Sequence, residues 1–314
     1  MLLHVIRRFA VSVLVVLGVV TITFFLLRMI SPSPALVVLG AKASPAAVEA
    51  FNAQYGYDRS LFIQYVSYLG GLFTGDLGYS HKLAQSVTDL VGQYLGKSVY
   101  LSSAALAIAV SAAIPLGIFQ AVHRKKPIDY AVTTLNFVLY SMPSFFLGII
   151  LLQVFAITLN WLPAEASQEH STVAVVLDWK HMLLPVFTLA AVQLAGFSRY
   201  MRSSALDNLG QDYIRLARAK GLSERQLRYR HLLRNSSLPM ITLVGLSLPA
   251  LVAGSVVTES LFNYPGLGLL FFHSLQNQDY PVLLALTLLG SVLVVLGNFL
   301  ADVASAAADP RIRR

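Results

Sequence analysis

Long runs of apolar residues recur along the whole chain, separated by short polar segments. A helix needs about 20 mainly apolar residues to cross roughly 30 Å of hydrocarbon. Six charge-free runs qualify, and they are Phe9–Leu27, Ser98–Val122, Tyr130–Asn160, Met182–Ser198, Ser236–Thr258 and Pro281–Ala301. The pattern therefore predicts an all-α, polytopic membrane protein with six transmembrane helices, in which residues 1–314 form a single transmembrane domain.

The third run is longer than a bilayer requires, and it contains Pro143 in Tyr140-Ser-Met-Pro143. Because proline removes a backbone donor, we expect Pro143 to kink this helix or to mark where its membrane part begins. The first run has a basic start, as a secretory signal does, but its core of about 19 apolar residues exceeds the usual 7–15. We therefore expect the first run to remain as a membrane anchor.

Lysine and arginine predict the orientation, since cytoplasmic loops carry an excess of them. With the N-terminus inside, 17 of the 23 lysines and arginines fall on the inner side and six fall on the longer outer loops. Both termini are therefore predicted to be cytoplasmic, in a multi-pass protein of the cell (inner) membrane. Only 12% of the residues are charged, so the net charge of +8 fits membrane topology and a lipid bilayer, and not nucleic acid.

The largest outer loop covers residues 31–97 and has an aromatic-rich middle, Tyr55 to Phe73. Glycines at positions 70, 71, 75 and 78 should interrupt any long helix there, so short interfacial helices are expected. The loop could receive a substrate-delivery protein, or it could only cap the helical bundle. The sequence leaves both interpretations open.

Catalytic and cofactor chemistry find little support in the sequence. Gly92-Gln-Tyr-Leu-Gly96-Lys97-Ser98 resembles a phosphate-binding loop, but it has three residues between the glycines where that motif needs four, and it follows no strand. We expect Lys97 only to extend its ammonium group to the membrane surface. The chain has no cysteine, and its seven histidines show no convincing metal-ligand spacing. We therefore expect no catalytic residue, no metal and no cofactor, and a protein that is not itself an enzyme.

The predicted cytoplasmic loop, residues 199–237, carries nine basic and three acidic residues. This charge is mostly explained by topology. Four large residues recur at helical spacing and should share one face of a single helix, and they are Leu206, Leu209, Tyr213 and Leu216. Lys220 and Gly221 suit the end of that helix, and Ser223 can cap a second one. The small residues Ala217 and Ala219, just before a turn glycine, would let a partner approach closely.

This loop resembles the coupling loop of the permeases of bacterial ABC importers, in their dipeptide and oligopeptide variant. The resemblance covers nearly the whole chain. It is carried by Gln211-Asp-Tyr-Ile-Arg-Leu-Ala217-Arg-Ala219-Lys220-Gly221, Arg230-His-Leu-Leu-Arg-Asn235, Gly75-Asp-Leu-Gly-Tyr-Ser80, Glu259-Ser-Leu-Phe-Asn-Tyr-Pro265-Gly-Leu-Gly268, Asp279-Tyr-Pro281 and Asp309-Pro-Arg311.

The resemblance implies an importer-type ABC transmembrane domain that forms half of a translocation pathway for peptides or a peptide-like substrate. It also implies three kinds of partner: a second, homologous permease subunit, ATP-binding subunits and an extracytoplasmic substrate-binding protein. The residues expected to couple to the ATPase are Tyr213, Ala217, Arg218, Ala219, Lys220, Gly221, Leu222 and Arg225. Related permeases carry different substrates, so the substrate stays open.

A translocation pathway needs polar groups inside the bundle. The candidates are Asn136, Ser141, Gln153, Gln193, Ser255, Glu259 and Asn298. Each could instead form an interhelical hydrogen bond, and Glu259 could either meet a peptide's amino terminus or cap a loop. The alternative function is an autonomous secondary transporter or channel, although no carboxylate lies deep in a span, where such transporters commonly use one.

Overall fold

The computed structural model describes residues 2–30, 33–253 and 255–308, and almost all of its regular structure is helical. Four helices are long and apolar enough to cross a membrane. They are α1 (Leu2–Ile30), α5 (Val87–Val122), α9 (Trp179–Leu209) and α16 (Tyr280–Ala308). A bent pair, α6 (Pro127–Ser141) and α7 (Ser144–Leu151), can supply a fifth crossing. The prediction of a helical, multi-pass chain is therefore confirmed.

The break predicted at Pro143 is present. Met142 and Pro143 have extended backbones, with ψ of 127° and 136°, as expected for a proline and the residue before it. The helix then resumes as α7 and continues into π-helical turns at Leu152–Thr158. The two parts differ in direction by 106°, so the third apolar run is a bent element and not one straight span.

The fifth predicted span is shorter than expected. Helix α13 covers Leu238–Ala253, which is 16 residues, and residue 254 lies outside the described part of the chain. A separate short helix, α14 (Val256–Leu261), follows it. The basic residues after Asp309 also lie outside the described ranges. Six crossings with both termini inside therefore remain a prediction.

Two helices are longer than their apolar runs. Helix α5 begins at Val87, before the run that predicted it, and its 36 residues extend about 54 Å. The glycines of the phosphate-loop look-alike therefore lie within a helix. Lys97 is only 6% exposed, so the expectation that it reaches out to the membrane surface is wrong. Helix α9 likewise continues beyond its run to Leu209.

Short elements fill residues 33–86, as predicted for the large loop. Three helices are followed by a two-stranded antiparallel hairpin that the sequence pattern did not indicate. The elements are α2 (Pro34–Leu39), α3 (Pro45–Tyr55), α4 (Leu61–Thr74), β1 (Tyr79–Ser80) and β2 (Gln85–Ser86). Gly70 and Gly71 lie inside α4, so the expectation that they interrupt a helix is wrong, whereas Gly75 does end α4 in the left-handed conformation.

Helices α5 and α9 form the centre of the molecule. They pack so closely that a Cβ atom placed on Gly117 would lie 2.6 Å from the Cβ of Met201 and 2.8 Å from the Ser198 carbonyl oxygen. Buried apolar side chains from α7, from α13 and from the turn that follows α14 pack against this pair and complete the core. The remaining helices are α8 (Thr172–Leu177), α10 (Asp212–Ala219), α11 (Glu224–Gln226), α12 (Leu233–Ser236) and α15 (Leu267–Gln276).

Candidate functional site

The connection between α9 and α13 folds into two helical segments joined by a tight turn, which we call the elbow (residues 211–236). Helix α10 ends at Ala219, and Gly221 follows with φ of +79°, a conformation that suits glycine because it has no Cβ. Ser223 and Gln226 then form a reciprocal capping box, which satisfies backbone donors at the next helix start. The second segment continues through π-helical turns at Leu227–Leu232 into α12.

The elbow is anchored to the ends of the two central helices. Its inner side chains pack with Ala121 of α5 and Ala205 of α9 in one buried cluster. The inner side chains are Ile214, Ala217, Leu227 and Leu232. The Ser204 hydroxyl also donates to the Ser236 carbonyl oxygen at 3.0 Å. Because burial of apolar side chains is the main source of packing stability, the elbow should move as one body with α5 and α9.

The opposite side of the elbow is exposed. Leu216 is 56% exposed and Tyr229 is 68% exposed, so the rest of this chain covers neither side chain. Arg215, Ala219 and Lys220 are also exposed. On α10, Leu216 therefore lies among exposed basic and small side chains, whereas Tyr229 lies on the second segment, in a groove that it shares with Pro115 and Phe119 of α5.

One ion pair bridges the turn of the elbow. The Nε–H of Arg218 donates to Oε1 of Glu224 at 3.0 Å, and both side chains are about half exposed. An exposed pair of this kind contributes only about 0–1 kcal/mol. It therefore orients the two segments without making a large contribution to stability.

Two sequence expectations about this loop need correction. Leu206 and Leu209 lie on α9, whereas Tyr213 and Leu216 lie on α10, because the chain breaks at Gly210. The four residues therefore do not share one helical face. Ala217 is 6% exposed and packs inside the chain, so its side chain is not presented to a partner in this conformation.

The other expected coupling residues divide by exposure. Tyr213 and Leu222 are half-buried against the elbow core, and the Tyr213 hydroxyl donates to Oδ1 of Asn208 at 2.7 Å. The exposed ones are Arg218, Ala219, Lys220, Gly221 and Arg225. The sequence pattern did not indicate that Tyr229 is exposed or that Leu216 points outward. If the helix is taken to begin at Asp212, helical spacing places Ile214 and Ala217 together on the inward face and leaves Leu216 off that face.

A partly buried ion pair joins two helices at the same end of the bundle. Arg202 of α9 donates twice to Asp129 at the start of α6, from Nε to Oδ1 and from Nη2 to Oδ2, both at 2.8 Å. Asp129 is 2% exposed and also accepts the Lys125 backbone N–H at 3.1 Å. The two partners are 73 residues apart, and neither has a local pattern that indicates the other. The pair joins α6 to α9 beside the elbow.

Of the pathway candidates, Ser255 and Glu259 share one hydrogen-bond network, and Asn136 lies in another. The Asn136 side chain donates to the Ser198 hydroxyl at 2.7 Å, and both residues are buried. The Ser255 hydroxyl caps α14 by accepting the Thr258 N–H. Ser141, Gln153 and Asn298 are exposed on this chain, and Gln193 is half-buried. The described contacts therefore do not gather these side chains into one site.

Glu259 is fully buried and accepts four hydrogen bonds. Its Oε1 receives the Ser98 hydroxyl at 2.9 Å and the Ser255 N–H at 3.3 Å, and its Oε2 receives the N–H groups of Gly268 at 2.7 Å and Leu269 at 3.1 Å. These last two donors belong to the first turn of α15, whose free N–H groups favour a carboxylate. Of the two roles weighed for Glu259, capping a loop is the one that this geometry fits.

Comparisons with known proteins agree over the whole chain. A family model described as the binding-protein-dependent transport system inner membrane component matches residues 113–314, and a model of the N-terminal part of such components matches residues 1–102. The chain is 38% identical over 311 residues to the oligopeptide transport system permease protein AppB of Bacillus subtilis (strain 168), with 98% of each chain covered. It is 35% identical over 313 residues to the glutathione transport system permease protein GsiC of Escherichia coli (strain K12), with 100% of this chain and 99% of the relative covered.

Proposed function

Because the chain belongs to the family of binding-protein-dependent transport system inner membrane components, we propose that it forms half of the translocation pathway of an ATP-driven importer for peptides or a peptide-like substrate. Family membership makes it a peptide-type permease of the cell membrane. The family consists of transport components and is not a family of enzymes. The substrate class rests on the names of relatives, which are an oligopeptide and a glutathione permease.

The elbow is the proposed docking point for an ATP-binding subunit. The observation that supports this best is that one side of the elbow is packed on α5 and α9, whereas Leu216 of α10 is exposed. A groove on a partner would cover Leu216, and the surrounding arginines would meet acidic groups at its rim. Docking at Arg218, Ala219, Lys220, Gly221 and Arg225 fits their exposure, whereas Ala217 would act from beneath by supporting the helix.

The same construction suggests how ATP binding and hydrolysis in the partner subunits would change the arrangement of the membrane helices. ATP-binding subunits that close and open would displace the elbow, and the buried cluster would transfer this displacement to the ends of α5 and α9. A helical bundle with two packed arrangements can be shifted between them by such a contact. The proposed partners are therefore the ATP-binding subunits, a second permease subunit and an extracytoplasmic substrate-binding protein.

The pathway would lie between two permease subunits. A side chain that lines it should be uncovered on one subunit alone, which fits Ser141, Gln153 and Asn298 better than the buried Asn136 and Glu259. Gln193 is intermediate, and Ser255 is engaged in capping α14. We therefore propose Ser141, Gln153 and Asn298 as the first positions to examine for substrate contact.

Leu216→Asp tests the docking surface. The side chain is largely exposed, so the substitution should leave the fold intact while placing a charge in the proposed apolar contact, where an unpaired buried charge is costly. In proteoliposomes that contain all subunits and the binding protein, we expect ATP-dependent uptake to fall at least tenfold. Ala219→Trp, which adds an indole at the same surface, should have the same effect.

The matched control is Leu177→Asp, because Leu177 is 75% exposed and lies outside the elbow. Uptake by this control should stay within about twofold of the unaltered protein. Normal uptake by both elbow variants would contradict docking at this surface. ATP-independent transport by this chain alone in liposomes would instead favour the autonomous secondary transporter or channel.

A further inference from the structure

Helix α4 is an apolar helix within the large loop, and it contains no charged residue. Its 14 residues extend about 21 Å, which is too short to cross roughly 30 Å of hydrocarbon. None of its residues is buried by the rest of this chain, so α4 is not a core helix either. An apolar helix of this length that neither spans the membrane nor belongs to a core is typical of a segment that lies in the membrane surface.

One face of α4 is exposed and entirely apolar. Phe62, Val66, Leu69 and Phe73 recur at spacings of four, three and four residues, which places them in one row along the helix. We call these four residues the α4 stripe. Phe62 is 70% exposed, Val66 is 50% exposed and Phe73 is 90% exposed. A continuous apolar row left uncovered by its own chain indicates contact with a membrane or with another protein.

Another side of α4 is polar. Ser67 and Gly71 border a cavity of about 390 Å³ whose wall also includes Asp76 and Asp279. The helix therefore separates a polar space on one side from the apolar stripe on another. This division is the one expected for an amphipathic helix that lies at the boundary between water and hydrocarbon.

Contacts with α1 fix the depth of α4. The hydroxyl groups of Tyr65 and Thr21 are hydrogen-bonded at 2.5 Å. The rings of Tyr65 and Tyr68 also lie 5.4 Å and 5.9 Å from the ring of Phe24. Thr21 comes seven residues before Arg28, which is about 10 Å along the helix axis. These contacts therefore lie within the apolar segment Ala10–Ile30 that can cross a membrane, and not beyond its end.

The exposed apolar surface of α1 borders the place where α4 attaches. The Phe25 ring lies 5.5 Å from the ring of Tyr65. Ile22 and Met29, one turn before and one turn after Phe25, are 61% and 79% exposed. Because a membrane-spanning helix meets hydrocarbon with such side chains, acyl chains are already present beside α4. This continuity favours lipid over water as the surroundings of the α4 stripe.

We propose that α4 lies in the membrane leaflet on the side of the large loop, with the α4 stripe in contact with lipid acyl chains. Tyr65 and Tyr68 hold the helix on α1 at this depth. The segment from α4 to the β-hairpin is thereby attached to the membrane, just before α5 begins. This lipid-contact surface includes none of the elbow residues, so it goes beyond the proposed docking and transport functions.

Spin labels attached to single cysteines test the proposal, since the chain has no cysteine of its own. The full chain carries the label at Phe62→Cys, Val66→Cys or Phe73→Cys in phosphatidylcholine liposomes. Power saturation in electron paramagnetic resonance then measures collisions with oxygen, which concentrates in hydrocarbon, and with a water-soluble nickel chelate. We expect the ratio of oxygen to nickel collisions at each stripe position to be at least about threefold higher than at an aqueous site, as burial in the acyl region requires.

Matched positions calibrate this ratio. Lys42→Cys is the aqueous reference, because Lys42 is exposed, and Leu14→Cys on α1 is the hydrocarbon reference, because Leu14 is 67% exposed in a spanning helix. Ser67→Cys is the control within α4, since Ser67 is exposed beside the cavity, and it should give a lower ratio than its neighbour Val66→Cys. All of these positions are exposed, so the labels should leave the fold intact, which circular dichroism of each labelled protein checks.

Nickel collisions at the stripe positions equal to those at Lys42→Cys would show that the stripe faces water and would overturn the proposal. Low collision rates with both reagents would show that protein covers the stripe, and this result would overturn lipid contact as well. The same conclusion would follow if oxygen collisions were lost after a second permease subunit is added. The measurement needs neither ATP nor transport, so its failure is distinguishable from a failure of the proposed function.

Discussion

At the scale of single residues, Glu259 illustrates how burial decides the role of a carboxylate. Its four donors come from three places in the chain, namely Ser98, Ser255 and the first turn of α15. Such an arrangement stabilises the turn between α14 and α15, because each N–H or O–H would otherwise be buried without a partner. In this conformation Glu259 is fully buried, so it connects helices and does not face a substrate.

We expect Glu259→Gln to destabilise the protein by about 2 kcal/mol, since an amide NH₂ group replaces one oxygen and faces N–H donors. The free energy of unfolding in mixed detergent micelles, from a denaturant titration, is the measurement. Glu165→Gln is the control, because Glu165 is exposed and should change stability by less than about 0.5 kcal/mol. Equal stabilities of the two variants would show that the Glu259 carboxylate does not hold this turn.

At the scale of helices, the close packing of α5 on α9 depends on Gly117. Any side chain there would meet the backbone of α9 as well as Met201, and backbone atoms have little freedom to move away. The adjacent ion pair between Asp129 and Arg202 shows that α6 is joined to the same region of α9. The elbow is therefore attached to a rigid part of the bundle.

Gly117→Ala should lower the free energy of unfolding by about 2 kcal/mol through this overpacking. Gly92→Ala provides a control within the same helix, since nothing lies within 4 Å of a Cβ at Gly92. There the change should be neutral or stabilising by up to about 1 kcal/mol, because alanine favours helix more than glycine does. Unfolding of both variants in detergent, followed by circular dichroism, checks the difference. A stable Gly117→Ala protein would mean that α5 and α9 can separate without cost.

A helix boundary explains why four residues that were predicted to share one helical face do not. The spacing of Leu206, Leu209, Tyr213 and Leu216 fits one helix, but Gly210 ends α9 between the second and third of them. By contrast, Gly221 and Ser223 were predicted correctly, because a left-handed glycine and a serine cap act over only a few residues.

At the scale of the whole molecule, the orientation predicted from charge can be tested directly, because the chain contains no cysteine. Single cysteines at Lys42 and at Lys220, both exposed, would report the two sides of the membrane. In intact cells, a membrane-impermeant maleimide should label Lys42→Cys but not Lys220→Cys. In cells that express this chain without ATP-binding subunits, both should be labelled after permeabilisation, which provides the control for reactivity. Labelling of Lys220→Cys in intact cells would reverse the proposed topology.

The sequence by itself determined that the chain is helical and crosses a membrane, because hydrocarbon can accommodate backbone only when its hydrogen bonds are satisfied within the segment. It also located the Pro143 break and the glycine turn of the elbow, which depend on neighbouring residues alone. Only the tertiary structure decided which side of the elbow is free, because the inward direction of Ala217 depends on Ala121 and Ala205. It likewise decided that Glu259 caps a turn, since burial and pairing depend on contacts between residues far apart in the sequence.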